Sequence, residues 1–378
     1  MKKNIFKSNA VQSLIASLIC IFLGLLIGYI VLLIINSEGA GEAILTILKN
    51  FMTYPPKNAY LNLRLKNFGM TLVKTVPLLM CALSILFSYK VGLFNIGCSG
   101  QYTAGCCAAL YAALKWGWSW FPCLLFATLA GALMGAIVGA LKAYRNVNEV
   151  ISGIMLNWII LYLTNTILNN VKEQTSPFTY SLSLVAKQAL LPKCGLDKLL
   201  GNNFNATIAI PVSIIIAILI MIVLNKTKFG YELRATGFNK NAAKYCGMKE
   251  NRNIILSLLI SGALAGMGAS FFYLTGIEQW ECTTASVPAM GFNGIAATFL
   301  GGLNPIGTIF ASFFLQHITL GGTYVNTKLY CYQISDLISA IIIYLCGFSL
   351  YFKIKMGSLI SKVEERKAKK KQIKEELS

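Results

Sequence analysis

Apolar residues fall along this chain in long blocks separated by short polar ones. The first block, 11–35 (VQSLIASLICIFLGLLIGYIVLLII), exceeds the roughly 20 residues that a helix needs to cross a bilayer. It is too long for the core of a signal peptide, and no small-residue cleavage site follows it cleanly, so it reads as a retained span. Further blocks at 72–89, 102–118, 120–141, 150–168, 206–224, 254–274, 287–300, 306–320 and 334–352 bring the prediction to about ten spans. The expected fold class is all-α: a polytopic transmembrane helical bundle with broken or re-entrant helices. A single transmembrane domain is expected over 1–352, with external loops at 36–71 and 169–205 and a basic cytoplasmic tail at 353–378.

Charge sharpens this outline. Only 12% of residues are charged, where a soluble domain carries roughly 25%. Lysine and arginine gather at the N-terminus (Lys2, Lys3, Lys7), at Lys90, at Lys142 and Arg145, between Lys226 and Arg252, and along the tail. Ten spans put all of these on one side, which the positive-inside rule makes the cytoplasm, and return both termini there. The net charge of +19 therefore lies beside spans, where it orients helices and meets anionic lipid, and does not indicate nucleic acid.

The most informative polar block is the island 225–253, NKTKFGYELRATGFNKNAAKYCGMKENRN. Asn239 is suited to cap a helix start, and Gly247 to close it in the left-handed conformation. The residues between them predict about two turns of helix over 240–246, preceded by the segment 230–234. Such an element is too short to cross a membrane, and its expected use is contact with another protein. Ala242, Ala243 and Tyr245 would offer an apolar docking face, with Arg234 and Lys240 turned to acidic partners.

Enzymatic and metal chemistry find little support. No Gly-Lys dipeptide occurs, so there is no phosphate-binding loop of the usual kind. The eleven cysteines show no zinc spacing. Cys194, Cys282 and Cys331 fall on the expected outer side as free thiols, with pairing open. The single histidine, His317, reads as a packed residue. Asp336 is the one acid inside an apolar block; an intramembrane carboxylate suggests proton coupling, but its place near the start of the block favours an interfacial role.

Two segments combine Phe-Asn with clustered glycine inside apolar surroundings: 91–101 (VGLFNIGCSGQ) and 287–307 (VPAMGFNGIAATFLGGLNPIG). Broken backbone at membrane depth must be buried in protein or line a water-filled path, and paired interruptions in the two halves of a transporter point to its solute site. This weak internal repeat makes Asn95, Ser99, Gln101, Phe292 and Asn293 candidates for the solute path. Asn157, an amide in the middle of an apolar span, joins them. Amides donate and accept without fixed charge, which suits a polar, uncharged solute. Helix-to-helix ties are the competing use of the same residues.

FNIG-x-x-GQ at 94–101, NEVISGIMLNWI at 148–159, G-x-x-LRATGFN-x-x-AA-x-x-x-GM at 230–248 and GFNGIAATFLGGLNPIG at 291–307 stand in this order along the chain. Together they resemble the permeases of ATP-binding-cassette importers for nucleosides and simple sugars, a group within the branched-chain-type permease superfamily. The length and the long first external segment resemble the nucleoside branch. The resemblance implies a non-catalytic permease in a bacterial cytoplasmic (inner) membrane. ATP would be bound by a partner ATPase, with a second permease, which we expect to be a distinct paralogue, and an extracytoplasmic binding lipoprotein completing the importer. Arg234, Gly237, Asn239, Ala242, Ala243, Tyr245 and Gly247 would form the ATPase-coupling element. Ser99 stands where such permeases commonly carry glutamate, and Asn293 where an acid is common, so the path here is neutral. An ion-coupled secondary transporter is the alternative, and the capped island has no explanation under it.

Overall fold

A computed structural model describes residues 9–55, 57–331, 333–349 and 351–358. The basic N-terminal lysines and most of the basic tail lie outside the described residues. The helices are α1 (Asn9–Ile35), α2 (Ala40–Lys49), α3 (Asn58–Tyr89), α4 (Cys98–Leu114), α5 (Trp120–Arg145), α6 (Glu149–Leu168), α7 (Leu182–Val185) and α8 (Leu196–Leu199). They continue as α9 (Ala209–Lys226), α10 (Lys228–Phe238), α11 (Lys240–Tyr245), α12 (Glu250–Tyr273), α13 (Met290–Leu300), α14 (Pro305–Gly321) and α15 (Ile334–Cys346). Among the described residues, extended pairing is confined to two isolated bridges, Lys172 with Thr179 and Phe178 with Glu281.

Each expected span coincides with a helix, but their lengths divide them. Among the described residues six helices, α1, α3, α5, α6, α9 and α12, are long and apolar enough to cross a membrane. A seventh candidate is α15 taken with 351–358, two pieces bent by 52°. The remaining three are shorter: α4 and α14 have 17 residues each and α13 has 11. At 1.5 Å per residue, α13 covers only about 16 Å, half of a hydrocarbon core of about 30 Å. Hydropathy alone merges such a half-helix with its flanks, which is why the block 287–300 looks longer in sequence.

The expected external loops are also more ordered than their polarity suggests. Residues 36–71 contain α2 and the first turns of the 32-residue α3. The segment 169–205 carries α7, α8 and the strand-like bridges.

The core forms around α3, α4, α5 and α12. Glycines recur every four residues on α5 (Gly131, Gly135, Gly139) and on α12 (Gly262, Gly266). A methyl group on Gly131 would collide with the Gly262 carbonyl, and one on Gly135 with the Leu258 carbonyl. In a membrane, where apolar side chains gain nothing by leaving lipid, such backbone proximity is what holds helices together. A second apolar cluster joins α1, α2, α13, α14 and α15 through Cys20, Leu32, Ile47, Leu315 and Ile338. Outside these clusters, α1 exposes Leu18, Phe22, Leu26 and Ile34, the apolar face of a peripheral span.

Candidate functional site

The link between α3 and α4 is the central break. Gly92 turns the chain at φ +75°, a conformation glycine adopts without strain. The backbone then runs without helix until α4 begins at Cys98. Asn95 and Gln101, both 2% exposed, face each other across this break. Asn95 Nδ2 donates to Gln101 Oε1 at 2.8 Å and to Ser261 Oγ at 2.7 Å. Gln101 Nε2 donates back to Asn95 Oδ1 at 3.3 Å. Ser261 Oγ in turn donates to the Ser84 carbonyl at 2.7 Å, with Ser84 Oγ 2.8 Å away. The sequence reading missed Ser84 and Ser261. Isolated serines in apolar helices carry no pattern, and only the crossing of α3 and α12 brings these two together.

Asn157 closes the same break from α6. Its Oδ1 accepts the Gly100 N–H at 2.7 Å, and its Nδ2 donates to the Ile96 carbonyl at 3.1 Å. The N-cap of α4 is Gly97, which has no side chain to cap with. Asn157 therefore supplies from another helix the acceptor that a serine or aspartate normally supplies locally. The approach is close enough that a methyl group on Gly153 would sit 2.8 Å from the Gly97 nitrogen. Hence Asn95 and Gln101 satisfy each other, Asn157 satisfies the backbone at Ile96 and Gly100, and all three are buried ties in this conformation.

The other expected path residues differ. Ser99 is fully buried, and its hydroxyl finds no hydrogen-bond partner. It lies directly under Gly291, where a methyl group would collide with it, so the starts of α4 and α13 meet here. Phe292 is exposed, and Asn293 is half-buried with no side-chain hydrogen bond. The two Phe-Asn pairs also differ in conformation, the first in the helix-free link and the second inside α13. Of the expected path residues, Ser99 and Asn293 are thus the two with free polar groups, without a charge between them.

The island 225–253 folds into α10, α11 and the start of α12. Asn239 Oδ1 accepts the Ala242 N–H at 3.0 Å, capping α11 as expected. Gly247 turns at φ +79°, and the Met248 N–H returns to the Ala243 carbonyl at 3.0 Å. The segment 230–234 is not a lead-in but part of α10, which is fastened to α12. Asn253 Nδ2 donates to Thr236 Oγ1 at 3.0 Å, and Arg252 lies 3.5 Å from Glu232. Ala243 is 3% exposed and turns inward, unlike its expected place on the docking face. In a two-turn helix the inner side must be small for the element to lie flat, so this alanine anchors α11. Ala242 and Tyr245 point outward, and Phe238, not singled out by the sequence, is 92% exposed beside Tyr245 at 93%. Arg234 is half-buried, its Nε 3.4 Å from the Gly230 carbonyl, and Lys240 is exposed.

This outer element rests on the break. A methyl group on Gly237 would lie 2.6 Å from the Lys90 carbonyl, and one on Gly92 3.2 Å from the Gly237 carbonyl. The last turn of α10 and the first residues of the α3–α4 link are in backbone contact. Burial, and then the neighbouring Arg234 guanidinium, hold the Lys90 ammonium below the ordinary lysine range. Among the described residues no group of three His, Cys, Asp or Glu could hold a metal. Asp336 lies in the first turn of α15, exposed.

An all-helical bundle of apolar spans, broken at a buried amide cluster and carrying an exposed short helix against that break, is the framework of a multi-pass membrane permease. The chain belongs to the family described as branched-chain amino acid transport system / permease component, which it matches over residues 67–347. It is 32% identical over 299 residues to the guanosine ABC transporter permease protein NupP of Bacillus subtilis, covering 78% of this chain and 84% of that one. It is 31% identical over 306 residues to the nucleoside ABC transporter permease protein NupB of Lactococcus lactis, covering 76% and 81%. A second Bacillus subtilis protein, the guanosine ABC transporter permease protein NupQ, is 28% identical over 254 residues, or 65% and 77%. No solved structure matches the chain.

Proposed function

We propose that this chain is the permease subunit of an ATP-binding-cassette importer for nucleosides in a bacterial cytoplasmic membrane. The observation that carries the reading is the seating of α10, through Gly237, on the link that holds Asn95. A force applied to α11 reaches the break through a backbone contact and not through flexible side chains. The similarity to permeases named for guanosine and nucleosides supports the substrate class. A neutral region with free hydroxyl and amide groups supports an uncharged solute, since an unpaired buried charge is costly.

In this reading a partner ATPase binds ATP and receives α11 with the end of α10, and the outward Phe238 of α10 and Tyr245 of α11 fill a cleft on it. Closure of the ATPase moves α10 and α11, and with them the link 90–97. The amide ties to Ser261 and Asn157 then exchange, and access alternates. A second permease completes the pathway, and the similarity to both NupP and NupQ of one organism supports a distinct paralogue in that place. A binding lipoprotein delivers the solute at the far end, where 169–205 lies. About ten segments enter the bilayer, α4, α13 and α14 among them as short or re-entrant ones, with both termini cytoplasmic. Residues 1–352 act as one permease domain and 353–378 as its basic tail. The chain needs no cofactor of its own.

The test is uptake by the reconstituted importer with Phe238→Arg and Tyr245→Arg. Both side chains are almost fully exposed, so folding should hold while ATPase co-purification and ATP-driven guanosine uptake fall at least about tenfold, roughly 1.4 kcal/mol of coupling. Unchanged co-purification and uptake would remove α11 from the docking role. Movement of ribose but of no nucleoside would overturn the substrate class. Uptake abolished by a proton ionophore with ATP still present would favour the ion-coupled alternative.

A further inference from the structure

A cavity of about 750 Å³ has none of Asn95, Gln101 and Asn157 in its lining. Its walls are α1 (Leu18, Ile21), the α13–α14 turn and the face of α14 that carries Phe310 and Phe314. Two of these residues, Leu18 at 53% and Phe310 at 70% exposure, also belong to the outer apolar surface, so the cavity is continuous with the face a span turns to lipid. Its lining includes two lysines, Lys90, which lies near Arg234 of α10, and Lys353, and among the described residues that line it there is no acid. Among the described residues neither lysine has an ion pair, and Lys90 is half-buried beside a second cation, Arg234. An apolar slot open on the outer surface, lined by two cations that have no ion pair among the described residues, is complementary to a single molecule that has an acyl chain and an anionic head.

We infer that this cavity binds an anionic phospholipid, with Lys90 and Lys353 holding the headgroup phosphate and Leu18, Ile21, Phe310 and Phe314 holding an acyl chain. Basic side chains at a membrane surface favour anionic lipid by about 1 kcal/mol each, roughly a fivefold preference per lysine. Occupancy also has a consequence for transport. The Lys90 carbonyl carries Gly237, so a lipid clamped at Lys90 stiffens the junction through which α10 reaches the break.

The experiment is lipid binding by the full-length chain in the assembled importer, comparing phosphatidylglycerol with phosphatidylcholine by native mass spectrometry or by immobilisation of spin-labelled lipid. The wild type should prefer phosphatidylglycerol roughly 30-fold, each of Lys90→Gln and Lys353→Gln should lose about fivefold, and the pair together should lose the preference. Lys90→Arg with Lys353→Arg keeps the charge and should keep the preference, which separates lost binding from damaged folding. Lys226→Gln, an exposed lysine outside the cavity, should change nothing. Equal retention of both lipids by the wild type would overturn the site, as would a preference that survives the Lys90→Gln/Lys353→Gln pair. Glycerol phosphate or inorganic phosphate competing as well as the intact lipid would show a simple anion site and would overturn the lipid assignment.

Discussion

Replacing Asn157 with leucine tests whether this amide ties helices or touches solute. The substitution removes two hydrogen bonds, from Gly100 N–H at 2.7 Å and to the Ile96 carbonyl at 3.1 Å, and leaves the Gly100 donor buried without an acceptor. An unsatisfied buried donor costs about 1–3 kcal/mol and an ordinary lost hydrogen bond about 0.5–1.5 kcal/mol, so the expected destabilisation is about 2–4 kcal/mol. That is a large fraction of a native stability of roughly 5–15 kcal/mol. Asn157→Asp should fall between leucine and wild type. It keeps an acceptor at the positive end of α4 but loses the donor to Ile96 and buries a carboxylate. The assay is thermal stability of the purified importer in nanodiscs, read beside guanosine uptake per folded molecule. The expected result is a lower melting temperature and lower membrane abundance for Asn157→Leu, with uptake falling in proportion. A variant as stable as wild type that transports nothing would refute the tie and place Asn157 on the solute itself.

Gly237 and the membrane topology each give a further prediction. Gly237→Ala puts a carbon 2.6 Å from the Lys90 carbonyl, which no side-chain adjustment relieves. It should leave ATPase binding in place while cutting uptake at least about tenfold, and a full rate of uptake would break the proposed route from α10 to the link. Single cysteines at Lys187 and Lys244, both exposed, should react from opposite sides of the membrane in a cysteine-free background. Labelling of both on intact cells by an impermeant reagent would overturn the span count.

Much of the fold was legible along the chain because the bilayer imposes a length and a polarity on every span. The long spans, their approximate ends and the caps of α11 at Asn239 and Gly247 follow from local rules of backbone and solvent, whereas α2 and α10 do not show in the pattern. Side-chain direction does not. Ala242 and Ala243 are chemically identical neighbours, and only the seating of α11 on the bundle decides that one faces outward and the other in. Helix interruption is likewise visible as glycine, but its repair is not. The acceptor for the α4 start comes from α6, 57 residues away, and the partner of Asn95 from α12, 166 residues away. These pairings depend on which helices cross, and the crossings depend on glycine faces such as Gly131 against Gly262. Sequence alone therefore specified a membrane permease with a capped outer helix. The joining of that helix to the amide-held break is a property of the packed bundle, because backbone contacts such as Gly237 with Lys90 leave no mark on residue type beyond an isolated glycine.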